Sequence, residues 1–346
     1  MKASTTDSIL EYIKIHPLQS SKEIHDGLGG SIGYATVKRV LSKLLLENLV
    51  NTEGKGKATR YVISSSYQLL YPVDLNQYFE KEQDERQIKS SFDFDLITAV
   101  LNQIQLFTSE EKQRVEALQS KFTDNVSHLS PSAYNKELER LAIDLSWKSS
   151  QIEGNTYSLL ETERLLKDKE TAAGKPKDDA VMLLNHKDAI NFIIEHPDYV
   201  MPLKIGAIED IHSLLIKDLK VDRNIRRRKV GISGTNYTPL DNEHQIREAL
   251  NEMCALVNSK ENPFEKSLLT LVLLSYIQAF ADGNKRTARI VSNAILMAHH
   301  YCPISFRTVD SIEYKKAMLL FYEQNNISAF KKIFIDQFEF AVNTYF

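Results

Sequence analysis

The stretch Gln278-Ala279-Phe280-Ala281-Asp282-Gly283-Asn284-Lys285-Arg286-Thr287-Ala288-Arg289 lies between two apolar segments, 269–277 and 290–297, each reading as a buried helix. A polar turn between buried helices places charged groups inside a protein. Gly283 and Asn284 tolerate positive φ, so their backbone N–H groups can turn inward as an anion-binding nest. A helix starting near Lys285 or Arg286 would present its N-terminus to the same point, favouring negative charge. Arg286 and Arg289 stand three apart and share one helical face. Two guanidiniums above such a nest suit a polyphosphate. Asp282 beside them suits a Mg²⁺ ion that bridges phosphate oxygens. The plain alternative is two core helices joined by a basic turn.

The run resembles the signature of the Fic family, His-x-Phe-x-Asp/Glu-Gly-Asn-Gly/Lys-Arg-x-x-Arg. Phe280, Asp282, Gly283, Asn284, Lys285, Arg286 and Arg289 match it. The resemblance implies transfer of AMP from ATP to a Ser, Thr or Tyr hydroxyl of a target protein, with ATP and Mg²⁺ required. It implies that Asp282 binds the metal and that the Gly283–Asn284–Lys285 backbone cradles phosphate. Arg286 would contact phosphate, Arg289 would hold the γ-phosphate, and Phe280 would anchor the loop. One position departs: Gln278 stands where the family carries its general-base His. An imidazole accepts a proton near neutral pH, whereas a carboxamide only orients a hydroxyl. Loss of a base costs about 10²–10⁴-fold in rate. The chain then reads as a nucleotide-binding pseudoenzyme, a weak enzyme that positions its target, or an engineered inactive variant. Lys285, where many members have Gly, resembles the Doc toxins and leaves phosphate transfer as an alternative.

A second element, Ser149-Ser150-Gln151-Ile152-Glu153-Gly154-Asn155, resembles the family's inhibitory motif, Ser/Thr-x-x-x-Glu-Gly/Asn. Ser149 and Glu153 are four apart and share a helical face, and Gly154 with Asn155 would end that helix. The resemblance implies that Glu153 pairs with Arg289 and occupies γ-phosphate space, as in the class with an N-terminal inhibitory helix. The alternative is an ordinary exposed Glu at a helix end. A third element, residues 230–239, alternates apolar residues around Gly and Asn and reads as a short β-hairpin. It resembles the family's flap, which clamps a target strand; Ile232, Gly234 and Tyr237 would serve there. Arg226, Arg227, Arg228 and Lys229 precede it, either as a solvated turn or as an electrostatic element near phosphate or an acidic target.

Residues 1–66 read as a separate module. Ile9, Leu10 and Ile13 lie at helical spacing, and Ser20 or Ser21 caps a second helix. The third helix, 34–48, turns Val37, Val40, Leu41, Leu44 and Leu45 inward. Two strands, 50–52 and 61–63, flank Gly54 and Gly56. The order resembles a winged helix-turn-helix. Nine Lys and Arg against six Asp and Glu make this segment +3, against −6 for the rest. Duplex DNA is therefore the expected partner, with Lys38 and Arg39 on the recognition helix and Lys55 and Lys57 on the wing. Protein docking or homodimer contact is the alternative.

Residues 67–91 read as a connector, and 92–346 as a succession of helices. The expected architecture is mainly α: an all-α Fic-type bundle with a small β-hairpin flap, plus the N-terminal winged helix (α+β) domain. Its helices are expected near 96–106, 109–122, 135–152, 160–169, 177–195, 204–217, 245–258, 311–325 and 329–346. The 346 residues suit two domains, and the net charge of −3 with 42% hydrophobic residues is that of an ordinary globular protein. No apolar run reaches the roughly 18 residues of a membrane span. The first ten residues lack the apolar core of a signal peptide, so a cytoplasmic location with no membrane partner is expected. Cys254 and Cys302 are expected as free core thiols, and His186, His212, His299 and His300 as packing residues rather than metal ligands. His244 follows the flap and is weighed as a substitute for the missing base.

Overall fold

In a computed structural model, which describes residues 4–30 and 32–346, polar caps set the N-terminal elements. Ser4 caps α1 (Thr5–Ile15) in a reciprocal box with Asp7, and Ser20 caps α2 (Ser21–Gly27) in one with Glu23. α3 spans Tyr34–Leu46. β1 (Val50–Glu53) and β2 (Arg60–Ile63) pair antiparallel, Val50 opposite Ile63 and Glu53 opposite Arg60. Gly54 turns the hairpin at φ +77°, where a Cβ would come within 2.5 Å of the Ala58 carbonyl. Ile9, Leu10, Ile13, Ile24, Val37, Val40, Leu41 and Leu44 form the core of this unit. Each such burial is worth about 1.5–3 kcal/mol. Leu45, expected inside, is only half-buried. With α4 (Tyr67–Leu70) the unit runs to Pro72 and includes Gln103–Lys112; the second unit comprises Val73–Asn102 and Gln113–Phe346.

Past Pro72 the elements are α5 (Leu75–Tyr78), a π-type segment (Leu96–Val100), α6 (Leu101–Gln103), α7 (Ser109–Ser127), α8 (Pro131–Ile152) and α9 (Leu159–Asp168). α10 (Lys177–Glu195), α11 (Ile205–Leu215), α12 (Glu243–Ser259), α13 (Pro263–Ile277), α14 (Asn284–Ala298), α15 (Ser311–Gln324) and α16 (Ser328–Tyr345) follow. α13 is buried on all sides from Lys266 to Ile277. Asn262 caps its start, accepting from the Phe264 and Glu265 N–H groups, and Pro263 fits its first turn. α14 packs along α13, while α8, α10, α11, α12 and α15 surround the pair. The helix expected over 96–106 is shorter and partly π: Asp93 Oδ1 accepts from Leu96 N at its start, and Lys260 Nζ donates to the Leu101 carbonyl (2.7 Å) near its end.

The segment 230–239 is not a β-hairpin. Among the described residues its regular pairing is a single parallel bridge, Ser91 to Thr238, with a turn at Ser233–Gly234. Its polar groups are engaged by the chain before the helical bundle. Thr238 N donates to Ser90 O (2.9 Å), Arg86 Nη2 donates to Gly234 O, and Asn236 Nδ2 donates to Asp84 Oδ1 (2.8 Å). The alternation that suggested a strand instead reflects Tyr237, buried and stacked on Tyr276 (centroids 5.0 Å). Residues 78–89 are likewise strapped down. Arg86 forms an ion pair with the wholly buried Glu323 (3.1 Å), which also accepts from Tyr78 OH (2.7 Å).

Candidate active site

α13 ends at Gln278 in the left-handed conformation (φ +52°, ψ +56°). α14 begins after Gly283 at φ +82°. Two left-handed residues reverse the chain in five positions and set the intervening loop at the α14 N-terminus. Asn284 ties the loop: its Oδ1 accepts from Phe280 N and its Nδ2 donates to Phe280 O, both at 2.8 Å. Phe280 is buried and stacks face to face on His212 of α11, centroids 3.6 Å apart. His212 Nε2 donates to the Asp282 carbonyl (3.0 Å). Burial holds the His212 imidazolium below its ordinary pKa despite that bond, so the ring acts as a neutral donor. A Cβ on Gly283 would sit 3.3 Å from this ring and 3.4 Å from Ile216.

Gln278 and the loop line a cavity of about 350 Å³ with Glu153, residues 230–233, Tyr314 and Tyr322. Gln278 is buried and doubly engaged. Its Nε2 donates to Ser275 O (2.6 Å), and its Oε1 accepts from Asn284 Nδ2 (3.1 Å). Its backbone carbonyl accepts from Arg226 Nε (2.6 Å). Gly283 gives α14 no side-chain cap, so the first-turn N–H groups are free of one beside the cavity. Arg286 is buried; Nη2 donates to Asp282 Oδ2 (3.1 Å), and Nη1 has no partner among the described residues. The Asp282 carboxylate is 65% exposed and also accepts from Gly283 N (2.6 Å).

Arg289 is wholly buried and meets the second motif. Nε donates to Ser149 Oγ (2.7 Å), while Nη2 donates to Ser149 O and to Glu153 Oε1, both at 2.9 Å. The guanidinium lies over the Tyr314 ring at 5.4 Å. Glu153, the C-cap of α8, also approaches Lys285 Nζ at 3.4 Å. Burial pushes the Glu153 carboxyl up, but Arg289 and then Lys285 outweigh it and hold it below its ordinary range. Gly154 follows at φ +101°, in open space, and ends the helix. His186 of α10 lies 2.7 Å from Ser149 Oγ. Burial, with Arg289 and Arg286 nearby, drives its pKa well down, so the ring is neutral. Ser149 Oγ accepts from Arg289 Nε and shares a hydrogen bond with His186 Nε2.

The structure thus brings together Ser149, Glu153, Asp282, Lys285, Arg286 and Arg289, and sets Gln278, Gly283 and Asn284 beside them. Ile232 lines the cavity, but Gly234 and Tyr237 do not. Tyr237 is an anchor whose hydroxyl donates to Tyr276 O (3.2 Å). His244 is exposed in the first turn of α12 and does not line the cavity. His186, His212 and Arg226 carry supporting contacts with no mark in the sequence, because their partners lie 37, 70 and 52 residues away. Cys254 and Cys302 are free and buried, and burial pushes the Cys254 thiol up to about 12. Lys38, Arg39, Lys55 and Lys57 are exposed on the other unit and form no ion pair among the described residues.

The described residues hold no cluster of three His, Cys, Asp or Glu fit for a metal. The exposed Asp282 carboxylate would offer a single oxygen ligand, which suits a Mg²⁺ held jointly with phosphate oxygens. No described helix is long and apolar enough to cross a membrane. Curated relatives include a "Protein adenylyltransferase Fic" from Nematostella vectensis, 27% identical over 176 residues, covering 49% of this chain and 40% of that protein. Another of the same name, from Drosophila persimilis, is 24% identical over 306 residues, covering 82% and 60%. The chain thus spans about half the length of such relatives. A solved Fic-1 from C. elegans superposes with a TM-score of 0.59 at 21% identity, covering 68% of this chain and 72% of that one. A Fic domain containing signaling protein from Bacteroides thetaiotaomicron also gives 0.59, at 19% identity, covering 67% and 95%. Residues 202–296, which hold α11 to α14 and the loop between the last two, match the sequence model of the Fic/DOC family, and the chain therefore carries a Fic/DOC family domain.

Proposed function

We propose that this domain is an ATP-binding, self-inhibited protein adenylyltransferase whose transfer is weak or absent with Gln278 in place. The observation that carries the reading is the pair Arg286 and Arg289, buried at the start of α14 beside a cavity with room for a polyphosphate. Arg286 keeps one terminal nitrogen without a partner, as a phosphate oxygen would require. Bound ATP supplies the AMP group, and Mg²⁺ neutralises charge across its phosphates. The chain's own residues position and neutralise: Asp282 offers a metal ligand, the α14 N-terminus offers N–H groups, and the two arginines offer fixed charge. Glu153 opposes them, since its carboxylate holds the Arg289 nitrogen that a phosphate would need. Gln278 cannot take the proton of an incoming hydroxyl, and both ends of its carboxamide are occupied, by Ser275 of α13 and Asn284 of α14. The target is a protein of unknown identity, and the cytoplasm is the proposed location.

A second reading has its own support. Helix α3 and the β1–β2 turn carry Lys38, Arg39, Lys55 and Lys57, all exposed and in no ion pair among the described residues. A winged-helix, DNA-binding regulator with the Fic domain as nucleotide sensor would use those charges, while Lys285 keeps a Doc-like phosphate transfer within reach. One experiment separates the readings. The protein, Gln278→His, and each combined with Glu153→Gly are incubated with α- or γ-labelled ATP. Gln278→His is expected to raise α-label transfer by about 10²-fold or more, most strongly with Glu153→Gly. Transfer of γ-label alone supports the Doc-like route. Transfer of neither label by the double mutant overturns the enzyme reading and leaves the sensor.

A further inference from the structure

Three wholly buried polar side chains meet beside the nucleotide cavity without lining it: Ser149 of α8, His186 of α10 and Arg289 of α14. Ser149 Oγ lies 2.7 Å from Arg289 Nε and 2.7 Å from His186 Nε2. A serine or threonine inside a helix can turn its hydroxyl back to the carbonyl four residues before it. Ser146 of the same helix does so, donating to Ala142 O (2.7 Å), and Thr270 and Ser275 of α13 do likewise (both 2.8 Å). Ser149 makes no such bond among the described residues; its hydroxyl is engaged by groups from two other helices. Ser149 is in turn the one side-chain hydrogen-bond partner of His186 among the described residues. A polar ring buried without a partner is costly. The bond to the imidazole therefore holds the serine oxygen off its own helix and against the guanidinium. Arg289 is fixed by two residues in all. Ser149 takes Nε through Oγ and Nη2 through its carbonyl (2.9 Å), while Glu153, which does line the cavity, takes Nη2 as well (2.9 Å). Once Glu153 is removed, the aim of the guanidinium depends on the Ser149 contacts alone.

We propose that His186 is a positioning residue for Arg289: through Ser149 it aims the guanidinium at the terminal phosphate of a bound nucleoside triphosphate. This rests on the reading of the site as one that binds ATP and is opposed by Glu153. Arg286 stands in the first turn of α14 and Arg289 nearly one turn further along, so the two meet successive phosphates. A charged donor held in place before its ligand arrives binds more tightly than one that must be ordered on binding. Loosening Arg289 therefore weakens a triphosphate and spares a diphosphate, which ends before reaching it.

The test uses the intact chain carrying Glu153→Gly, with ATP and ADP titrated separately by calorimetry in the presence of Mg²⁺. Adding His186→Phe, which keeps a ring and removes its nitrogens, is expected to weaken ATP by about tenfold and to leave ADP unchanged. Ser149→Ala, a smaller change that serves if the phenylalanine is not accepted, should do the same. The two together should cost no more than either alone, because both act through one contact. His186→Gln, whose carboxamide reaches about as far as the imidazole Nε2, should keep most of the ATP affinity. Equal losses for ATP and ADP would mark a general loosening of the fold and overturn the assignment. So would additive losses, an unchanged ATP affinity in His186→Phe, or no recovery in His186→Gln. Those outcomes leave the ATP-binding reading intact. Failure of Glu153→Gly to bind ATP at all would overturn both. No step requires transfer, so an inactive transferase leaves the result interpretable.

Discussion

Glu153→Gly separates two quantities that the fold couples, stability and nucleotide affinity. Glu153 holds Arg289 at 2.9 Å and Lys285 at 3.4 Å. Arg289 is wholly buried, whereas the Glu153 side chain is 20% exposed. Removing one partner of a buried pair costs about 3–5 kcal/mol. Ser149 still accepts two hydrogen bonds from Arg289, which places the loss at the lower end, about 3 kcal/mol. A domain of this size would then melt roughly 6–12 °C lower without ligand. The freed nitrogen becomes available to phosphate, and a charge-assisted hydrogen bond is worth about 1.5–3 kcal/mol. ATP-Mg²⁺ should therefore bind roughly 10- to 100-fold more tightly, and saturating ATP should return much of the lost melting temperature. Calorimetry gives the affinities and differential scanning gives the melts. Glu153→Gln, which keeps the shape and loses the charge, should fall between the two proteins. Equal or weaker ATP binding in Glu153→Gly would refute the inhibitory role of the carboxylate, whatever the melt shows.

Gly283→Ala should cost about 1–3 kcal/mol in urea unfolding, because φ is +82° and the new Cβ meets His212 and Ile216; an unchanged midpoint would sink the strain argument. His186 and His212 both have folded pKa values below the 6.5 of a free imidazole. The unfolded chain therefore binds more protons, so their contribution is complete above pH 6.5 and declines as pH falls below it, by at most about 2.7 kcal/mol per pH unit for the two groups. Urea midpoints flat between pH 7 and 5 would contradict that burial. Residues 1–66 within the intact chain should bind duplex DNA with affinity falling as salt rises. Lys55→Ala with Lys57→Ala should lower the slope of log affinity against log salt by about two; anisotropy titrations with no binding at low salt favour protein docking instead.

The loop between α13 and α14 was legible because its geometry is local. Gly283 at positive φ, Arg286 and Arg289 on one helical face, and apolar helices on both sides all follow from neighbours in the chain, and α10 spans the residues its periodicity indicates. The order of three helices and a hairpin at the N-terminus is equally local, since reciprocal caps at Ser4 and Ser20 mark the starts of α1 and α2. The segment 230–239 was misread for the opposite reason. Strand-like alternation says that some side chains turn inward, but not which backbone groups pair with which. Ser90, Arg86 and Asp84, about 150 residues earlier, take the polar groups that a hairpin would have paired. The left-handed turn at Gln278 and its locked carboxamide were hidden too, because a non-glycine residue enters that region only when its surroundings hold it there. Sequence alone established that Arg286 and Arg289 share one helical face and that Gly283 tolerates the turn before it. Tertiary structure decided that Glu153 stands against Arg289, that His186 meets the serine beside them, and that the buried guanidinium of Arg226 donates only to carbonyls among the described residues, because each contact joins elements that only packing brings together.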